Sequence, residues 1–148
     1  MQPQHIFLLI WAILVVCLIS LFLFNGNKVL KKFPKVKKSA FEFMENWASG
    51  YATKSFKTKT EGARNVLRIR VTKNQLWLTT NTFMSWMVAQ FDLLHLIPIK
   101  SLKSVAIEGK KICIEFEKSG RIKKIVLISR RQQELYQLLS AKLKMETL

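Results

Sequence analysis

Ser85, Asp92 and His95 come nearest to a catalytic set in this chain, because they place a hydroxyl, a carboxylate and an imidazole in one short stretch. Such groups can work as a nucleophile with its base, provided that they touch in space. Sequence spacing does not establish that contact. His95 stands between Leu94 and Leu96, a setting more typical of a structural histidine. We therefore expect no enzyme.

Other reactive groups are scattered. The chain has no paired carboxylates, no glycine-rich phosphate loop, no Cys-x-x-Cys motif and no histidine cluster, and the second histidine, His5, stands apart near the N-terminus. Cys17 lies in an apolar run and Cys113 in a predicted strand, so the two cannot pair within one chain, which suits a reducing cytoplasm. The sequence predicts neither a metal site nor a cofactor.

Positive charge is the strongest chemical feature. The chain carries 25 Lys and Arg against 9 Asp and Glu, a formal net charge of +16. This charge predicts attraction to phosphate-rich partners, either lipid headgroups or nucleic acid. Six lysines without an acidic residue among them are concentrated in one short segment: Lys28, Lys31, Lys32, Lys35, Lys37 and Lys38.

The element that positions these lysines is the run Ile6 to Phe24, nineteen residues without a charge. As a helix it reaches roughly 28 Å, close to the ~30 Å of a bilayer's hydrocarbon, and it predicts a transmembrane anchor. A cleaved signal peptide fits less well, because no basic residue precedes the run and bulky Phe22 and Phe24 stand where small residues are needed. A buried core helix is also disfavoured, since the run has no polar face.

Orientation follows from the lysines on the C-terminal side of the anchor. The positive-inside rule predicts an N-terminus outside and a cytoplasmic domain, in the inner or plasma membrane. The same lysines can contact anionic headgroups, although a topology signal alone would explain them. We predict an anchor over residues 1–25, a basic linker over 26–38 and one domain over 39–148.

Most of the domain has the alternating pattern of strands. Leu67, Ile69 and Val71 alternate with Arg68 and Arg70, and a returning strand is expected at 75–80. Three further strands are predicted at 101–108, 111–118 and 121–129, joined by Gly109-Lys110 and Ser119-Gly120 turns. In the middle one, Ile112, Ile114 and Phe116 face inward, and Cys113, Glu115 and Glu117 face outward.

Helices are predicted at both ends of the domain. The Ser39 to Glu42 capping box and the spacing of Phe41, Met44, Trp47 and Tyr51 predict a short helix over 40–48, packed on the core or lying on the bilayer. A second capping box at Ser129 begins a C-terminal helix whose apolar face is Leu135, Leu138, Leu139 and Leu143.

Two segments stay open. Residues 53–62 form an edge strand or a loop. Residues 83–96 form a short strand or helical turn followed by a loop, which is buried under the sheet or dips into lipid beside the anchor. The expected fold class is an N-terminal transmembrane helix plus an α+β, mainly β domain, in which an antiparallel meander is closed by a C-terminal helix.

This layout, with the Ile97-Pro98-Ile99 segment, the Gly-Lys-Lys hairpin and the last amphipathic helix, resembles the pleckstrin-homology superfold. More narrowly it is similar to the bacterial pleckstrin-homology-like and GRAM-like domains that follow one membrane helix. The resemblance implies six or seven strands and a non-catalytic module for phospholipid headgroups or a protein partner. In lipid-binding members, a Lys-x(n)-Lys/Arg-x-Arg pattern holds phosphates, and Lys59, Arg68 and Arg70 match it.

Three functions follow, in order of preference. The first is a membrane-bound scaffolding module that contacts anionic lipid through the basic linker and through Arg68 and Arg70. The second is a protein-docking subunit of a membrane complex, using a strand edge or the apolar segment 83–96. Nucleic-acid binding ranks last, because Tyr51, Trp77 and Phe116 fall on core positions or near the membrane and no RNP, KH or helix-turn-helix pattern appears.

Overall fold

The computed structural model describes residues 2–53 and 62–148. Their helices are α1 (Pro3–Leu30), α2 (Thr82–Gln90) and α3 (Gln132–Glu146). Their strands are β1 (Phe41–Ala52), β2 (Ala63–Thr72), β3 (Gln75–Thr79), β4 (His95–Pro98), β5 (Leu102–Glu108), β6 (Lys111–Lys118) and β7 (Arg121–Ile128). Single 3-10 turns precede β1 and β5. The question of an edge strand at 53–62 falls almost wholly outside the described residues.

Helix α1 contains the whole apolar run and continues past it. Pro3 occupies the first turn, where its missing N–H costs nothing, and the helix ends at Leu30, shortly before Pro34. Its 28 residues span roughly 42 Å, and the apolar side chains of its first two thirds are mostly exposed. The helix is long and apolar enough to span a membrane. The first residues of the predicted linker, through Leu30, are therefore helical.

The seven strands form an antiparallel sheet in the order β4-β3-β2-β1-β7-β6-β5. Two meanders, β1 to β4 and β5 to β7, are joined where β1 pairs with β7. Inward-facing residues of both meanders and of α3 belong to one buried cluster, so the sheet curves around a single core. Leu67, Ile69 and Val71 are fully buried there, as predicted.

Residues 40–48 are not helical, and that prediction was wrong. The segment belongs to β1, where Phe43 and Glu45 alternate inward and pair with β2. At Trp47 the backbone adopts φ 67° and the register shifts, after which Ala48 faces inward. This bulge breaks the two-residue period of the inward residues, while Phe41, Met44, Trp47 and Tyr51, whose spacing predicted a helix, are half-buried or exposed.

The second meander agrees with the sequence analysis. Ser119 and Gly120 both have positive φ, as a two-residue hairpin turn of the primed type requires. Ile112, Ile114 and Phe116 are buried. The prediction for Cys113 needs correction, since it faces the other side of the sheet but is buried there beside Val126. Burial is also the main cause that raises the pKa of its thiol.

Helix α3 closes one end of the sheet with Leu135 and Leu139 buried and Leu138 and Leu143 half-buried, as predicted. The predicted capping box at Ser129 does not form, because the helix begins three residues later. Ser129 Oγ instead donates to the buried carboxylate of Glu45, which also accepts the Arg130 N–H at 2.8 Å. The carboxylate joins β1 to the start of α3.

Residues 83–96 contain most of α2 and the start of β4. The Asn81 side chain caps α2 by accepting the Met84 N–H at 2.8 Å. One side of α2 packs against the last turns of α1, while Val88 joins the core. The tight turn after α2 has Asp92 at φ 54°, and β4 then pairs with β3.

Candidate functional site

Three chain connections converge at the end of the sheet opposite α3. These are the segments that connect β1 with β2, β3 with β4 and β6 with β7, and the first of them is described only at its two ends. Lys123 Nζ lies 2.7 Å from Asp92 Oδ2, and Lys118 Nζ lies 3.2 Å from His95 Nδ1. The Thr53 N–H donates to the carbonyl oxygen of Lys124 at 3.1 Å. Residues distant in sequence are thus brought to one place.

A cleft of about 630 Å³ opens at this end. Among the described residues, four basic residues and one acidic residue line it, together with small and apolar neighbours: Ala52, Thr53, Asp92, Lys118, Ser119, Arg121, Ile122, Lys123, Lys124 and Ile125. We call this the cationic cleft. Lys118 and Arg121 are exposed at the rim of the cleft. Ile122, which lies between Arg121 and Lys123 in the sequence, is 68% exposed. The excess of positive charge suits an anionic ligand.

His95 supports the wall of the cleft from the buried side. Its Nε2 lies 2.7 Å from the carbonyl oxygen of Asp92, so this nitrogen carries the hydrogen and Nδ1 accepts from Lys118. Burial lowers the pKa of His95 to about 4, although the Asp92 carbonyl and carboxylate act in the opposite direction. The imidazole is therefore neutral at neutral pH and fixes the turn between α2 and β4.

Lys32 connects the cleft to α1. It follows the last helical residue by two positions, and its Nζ donates to the carbonyl oxygen of Leu94 at 2.6 Å. Burial and the charge of Lys118 lower the pKa of Lys32, Asp92 raises it and Lys123 lowers it further. Lys32, Lys118 and Lys123 thus contact Leu94, His95 and Asp92, which all lie at the turn between α2 and β4.

The cleft is suited to binding a phosphate-bearing group, because the lysines and the arginine of the β6–β7 hairpin outnumber the one acidic residue among the described residues that line it. The contacts of Ser85 and His95 do not favour acid–base chemistry at Ser85. Ser85 Oγ donates its hydrogen to the Thr82 carbonyl oxygen at 2.7 Å, and both nitrogens of His95 have other partners. The three residues with which the sequence analysis began do not assemble as a nucleophile and base.

The described residues among those named from the sequence lie in two places, the linker and the outer face of β2. The linker lysines, Lys28, Lys31, Lys32, Lys35, Lys37 and Lys38, are exposed, and among them Lys32 reaches the cleft environment. Arg68 and Arg70 lie on the outer face of β2. Lys59 lies outside the described residues.

Arg70 has a packing role on that outer face. Its guanidinium lies 5.3 Å from the centre of the Phe41 ring, which in turn packs edge-on to Trp77 at 5.3 Å. Phe33 of the segment after α1 completes this aromatic group at 6.0 Å from Trp77. Burial, and then Arg68, lower the pKa of Arg70. The structure does not bring Arg68 and Arg70 together with the cleft.

Sequence reasoning missed the main basic residues of the cleft. Lys118, Arg121, Lys123 and Lys124 all fall within the segment KSGRIKK. Four basic residues around a Ser-Gly hairpin turn were a usable signal, because a two-residue turn projects its flanking side chains together. Their meeting with Asp92 and Lys32 had no signal in the sequence.

The chain was also compared with known proteins. No family model matches it, and no curated protein matches it either.

Proposed function

We propose that the chain is a single-pass membrane protein whose domain binds anionic phospholipid headgroups in the cationic cleft at the membrane surface. One observation carries this proposal: four basic residues line a cleft beside Asp92, and Lys32, two residues beyond α1, donates to the Leu94 carbonyl oxygen next to that turn. A site so close to the end of a membrane anchor lies within reach of the headgroup layer.

The contact between α1 and the domain supports an anchor that is retained. Gly26 of α1 is buried, and a Cβ placed there would lie 1.9 Å from the Thr82 carbonyl oxygen. Val29 of α1 packs against the core as well. Removal of α1 as a signal peptide would strip these contacts from the domain, whereas a retained helix keeps them. The lysines after the helix favour a cytoplasmic domain and an N-terminus outside.

The strand layout is consistent with the pleckstrin-homology resemblance. Seven antiparallel strands followed by one helix agree with the number and order that the resemblance implies. Membership of that superfold remains part of the proposal. The proposed contact differs from the Lys59, Arg68 and Arg70 pattern, since the basic residues of the β6–β7 hairpin supply it.

A charge-matched pair of variants tests the proposal. The full chain in a mild detergent is titrated with phosphatidylglycerol and with phosphatidylcholine, and the bound lipid is counted by native mass spectrometry. Lys118→Gln with Arg121→Gln removes two cleft charges. Lys110→Gln with Lys144→Gln removes two exposed charges outside the cleft, on the β5–β6 hairpin and on α3.

At roughly 1 kcal/mol per basic residue near the surface, the cleft pair should weaken phosphatidylglycerol binding about 30-fold. The control pair should change it little, and phosphatidylcholine binding should not respond to either. Equal losses of phosphatidylglycerol binding in the two pairs of variants would show that the lipid binds by general charge attraction and not in the cleft. A chain without preference for phosphatidylglycerol would refute the lipid proposal and favour a protein-docking role.

A further inference from the structure

Helix α2 packs against α1, and the contacts between the two helices show how far along α1 it lies. Its Phe83 ring stacks on Phe22 of α1 with 5.2 Å between ring centres, and Trp86 meets the same ring edge-on at 5.3 Å. Phe22 belongs to the uncharged run Ile6 to Phe24. One turn further on, Gly26 allows the Thr82 carbonyl to approach α1 closely. The start of α2 is therefore level with the last apolar turn of α1.

The face of α2 beside α1 is apolar and remains partly open. Phe83, Trp86 and Met87 are 43%, 39% and 41% exposed. No charged residue occurs between Thr80 and Phe91, although the chain as a whole is 23% charged. Tryptophan favours the boundary between hydrocarbon and headgroups, and Trp, Phe and Leu form the apolar face of helices that lie in that boundary.

We propose that α2 is embedded in the bilayer interface, with Phe83, Trp86 and Met87 in contact with lipid. This inference rests on the anchor of the proposed function and does not depend on the cationic cleft. Lipid is the occupant because the patch is continuous with the exposed apolar surface of α1, and any molecule that surrounds Phe22 also reaches Phe83 and Trp86.

Embedding α2 would fix the orientation of the domain. One helix alone leaves a tethered domain free to rotate, while a second contact beside it defines which side faces the membrane. Asp92 follows the last residue of α2 by two positions, and His95 begins β4 shortly after. An embedded α2 thus holds the cleft at the level of the headgroups.

Depth measurements on spin-labelled full-length chain test this inference. In a Cys17→Ser, Cys113→Ala background, a nitroxide is attached at Met87→Cys, at Val16→Cys in the apolar run, or at Met145→Cys on α3, which is 75% exposed. The chain is reconstituted into pure phosphatidylcholine vesicles, so that anionic headgroups have no influence. Collision rates with oxygen, which enters lipid, and with a water-soluble nickel complex are compared.

The Met87 label should give a ratio of oxygen to nickel collisions several-fold above that of the Met145 label and below that of the Val16 label, which lies deeper in the apolar run. A lipid-exposed Val16 label with a water-exposed Met87 label would overturn the inference and leave the anchor intact. A water-exposed Val16 label would overturn both. A Met87 label shielded from both reagents would mean that a second copy of the chain covers α2, which contradicts lipid contact.

Gly26→Leu provides an independent check, because its side chain has no room beside Thr82. The variant should force α2 away from α1 and raise nickel access at Met87 several-fold, without altering the Val16 label. An unchanged Met87 label would contradict the claim that packing on α1 sets the depth of α2.

Discussion

His95 links the acidic turn of the cleft to its basic hairpin through two hydrogen bonds, one to the Asp92 carbonyl and one from Lys118. The bond from Lys118 requires the neutral ring, because Nδ1 can accept only when it carries no proton. Phe116 packs edge-on against the imidazole at 5.2 Å and adds to its burial. The residue therefore acts as a structural support for the cleft.

Neutral His95 makes the stability of the domain depend on pH. Its pKa falls from 6.5 to about 4 on folding, so between these values the unfolded chain binds a proton that the folded chain does not. The free energy of unfolding should decrease as the pH falls through this window, by about 3 kcal/mol from this group. Urea unfolding of the full chain in detergent, followed from pH 7 to pH 4, measures the change.

His95→Gln should lower stability at pH 7 but flatten that pH dependence, whereas His5→Gln should retain it. If the wild-type and His95→Gln curves ran parallel across the window, the histidine would not be the buried neutral group described above.

At the scale of elements, β1 depends on the bulge at Trp47. A residue with positive φ costs roughly 1–2 kcal/mol unless it is glycine, and the Trp47 side chain is 60% exposed. The bulge allows Glu45 and Ala48 to face inward on either side of it.

Trp47→Gly should therefore leave the free energy of unfolding unchanged or raise it by up to about 1 kcal/mol. Trp47→Val should lower it, because a branched side chain is strained at positive φ. Urea unfolding of the two variants and the wild type measures these differences in the free energy of unfolding. A loss of about 1 kcal/mol in the glycine variant, as expected for a glycine inside a helix, would contradict the bulged strand.

The strands that could be predicted are those with a clear local signal. Strand β2 keeps an alternating pattern, since one face meets the core and the other is more polar. Strands β6 and β7 each contain three consecutive buried residues, and the Ser119-Gly120 turn between them is their clearest signal. The β1 pattern is reset by its bulge. Helix α2 shows no clean period because Val88 faces the core while Phe83 and Trp86 face α1 and the open side. Because α2 has apolar partners in several directions, it has no polar face that would show a helical period in the sequence.

At the scale of the whole molecule, the cationic cleft could be predicted only in part. The basic linker and the basic hairpin are both visible in the sequence. Their meeting around Asp92 depends on the curvature of the sheet and on the docking of α2 against α1, and no local pattern encodes either. Arg68 and Arg70 matched a family pattern in sequence, but the strand carries them to the outer face beside Phe41 and Met44.

The most direct test of the central claim is to map where an anionic headgroup touches the protein. The full chain is placed in bilayer nanodiscs with phosphatidylglycerol that carries a photoreactive diazirine in its headgroup, and cross-linked peptides are identified by mass spectrometry. A photoreactive phosphatidylcholine serves as the neutral reference.

We expect phosphatidylglycerol cross-links to concentrate in residues 118–125 and beside Lys32, and to decrease in the Lys118→Gln, Arg121→Gln pair. Cross-links confined to the linker lysines, or centred on Arg68 and Arg70, would contradict the assignment of the headgroup site to the cationic cleft.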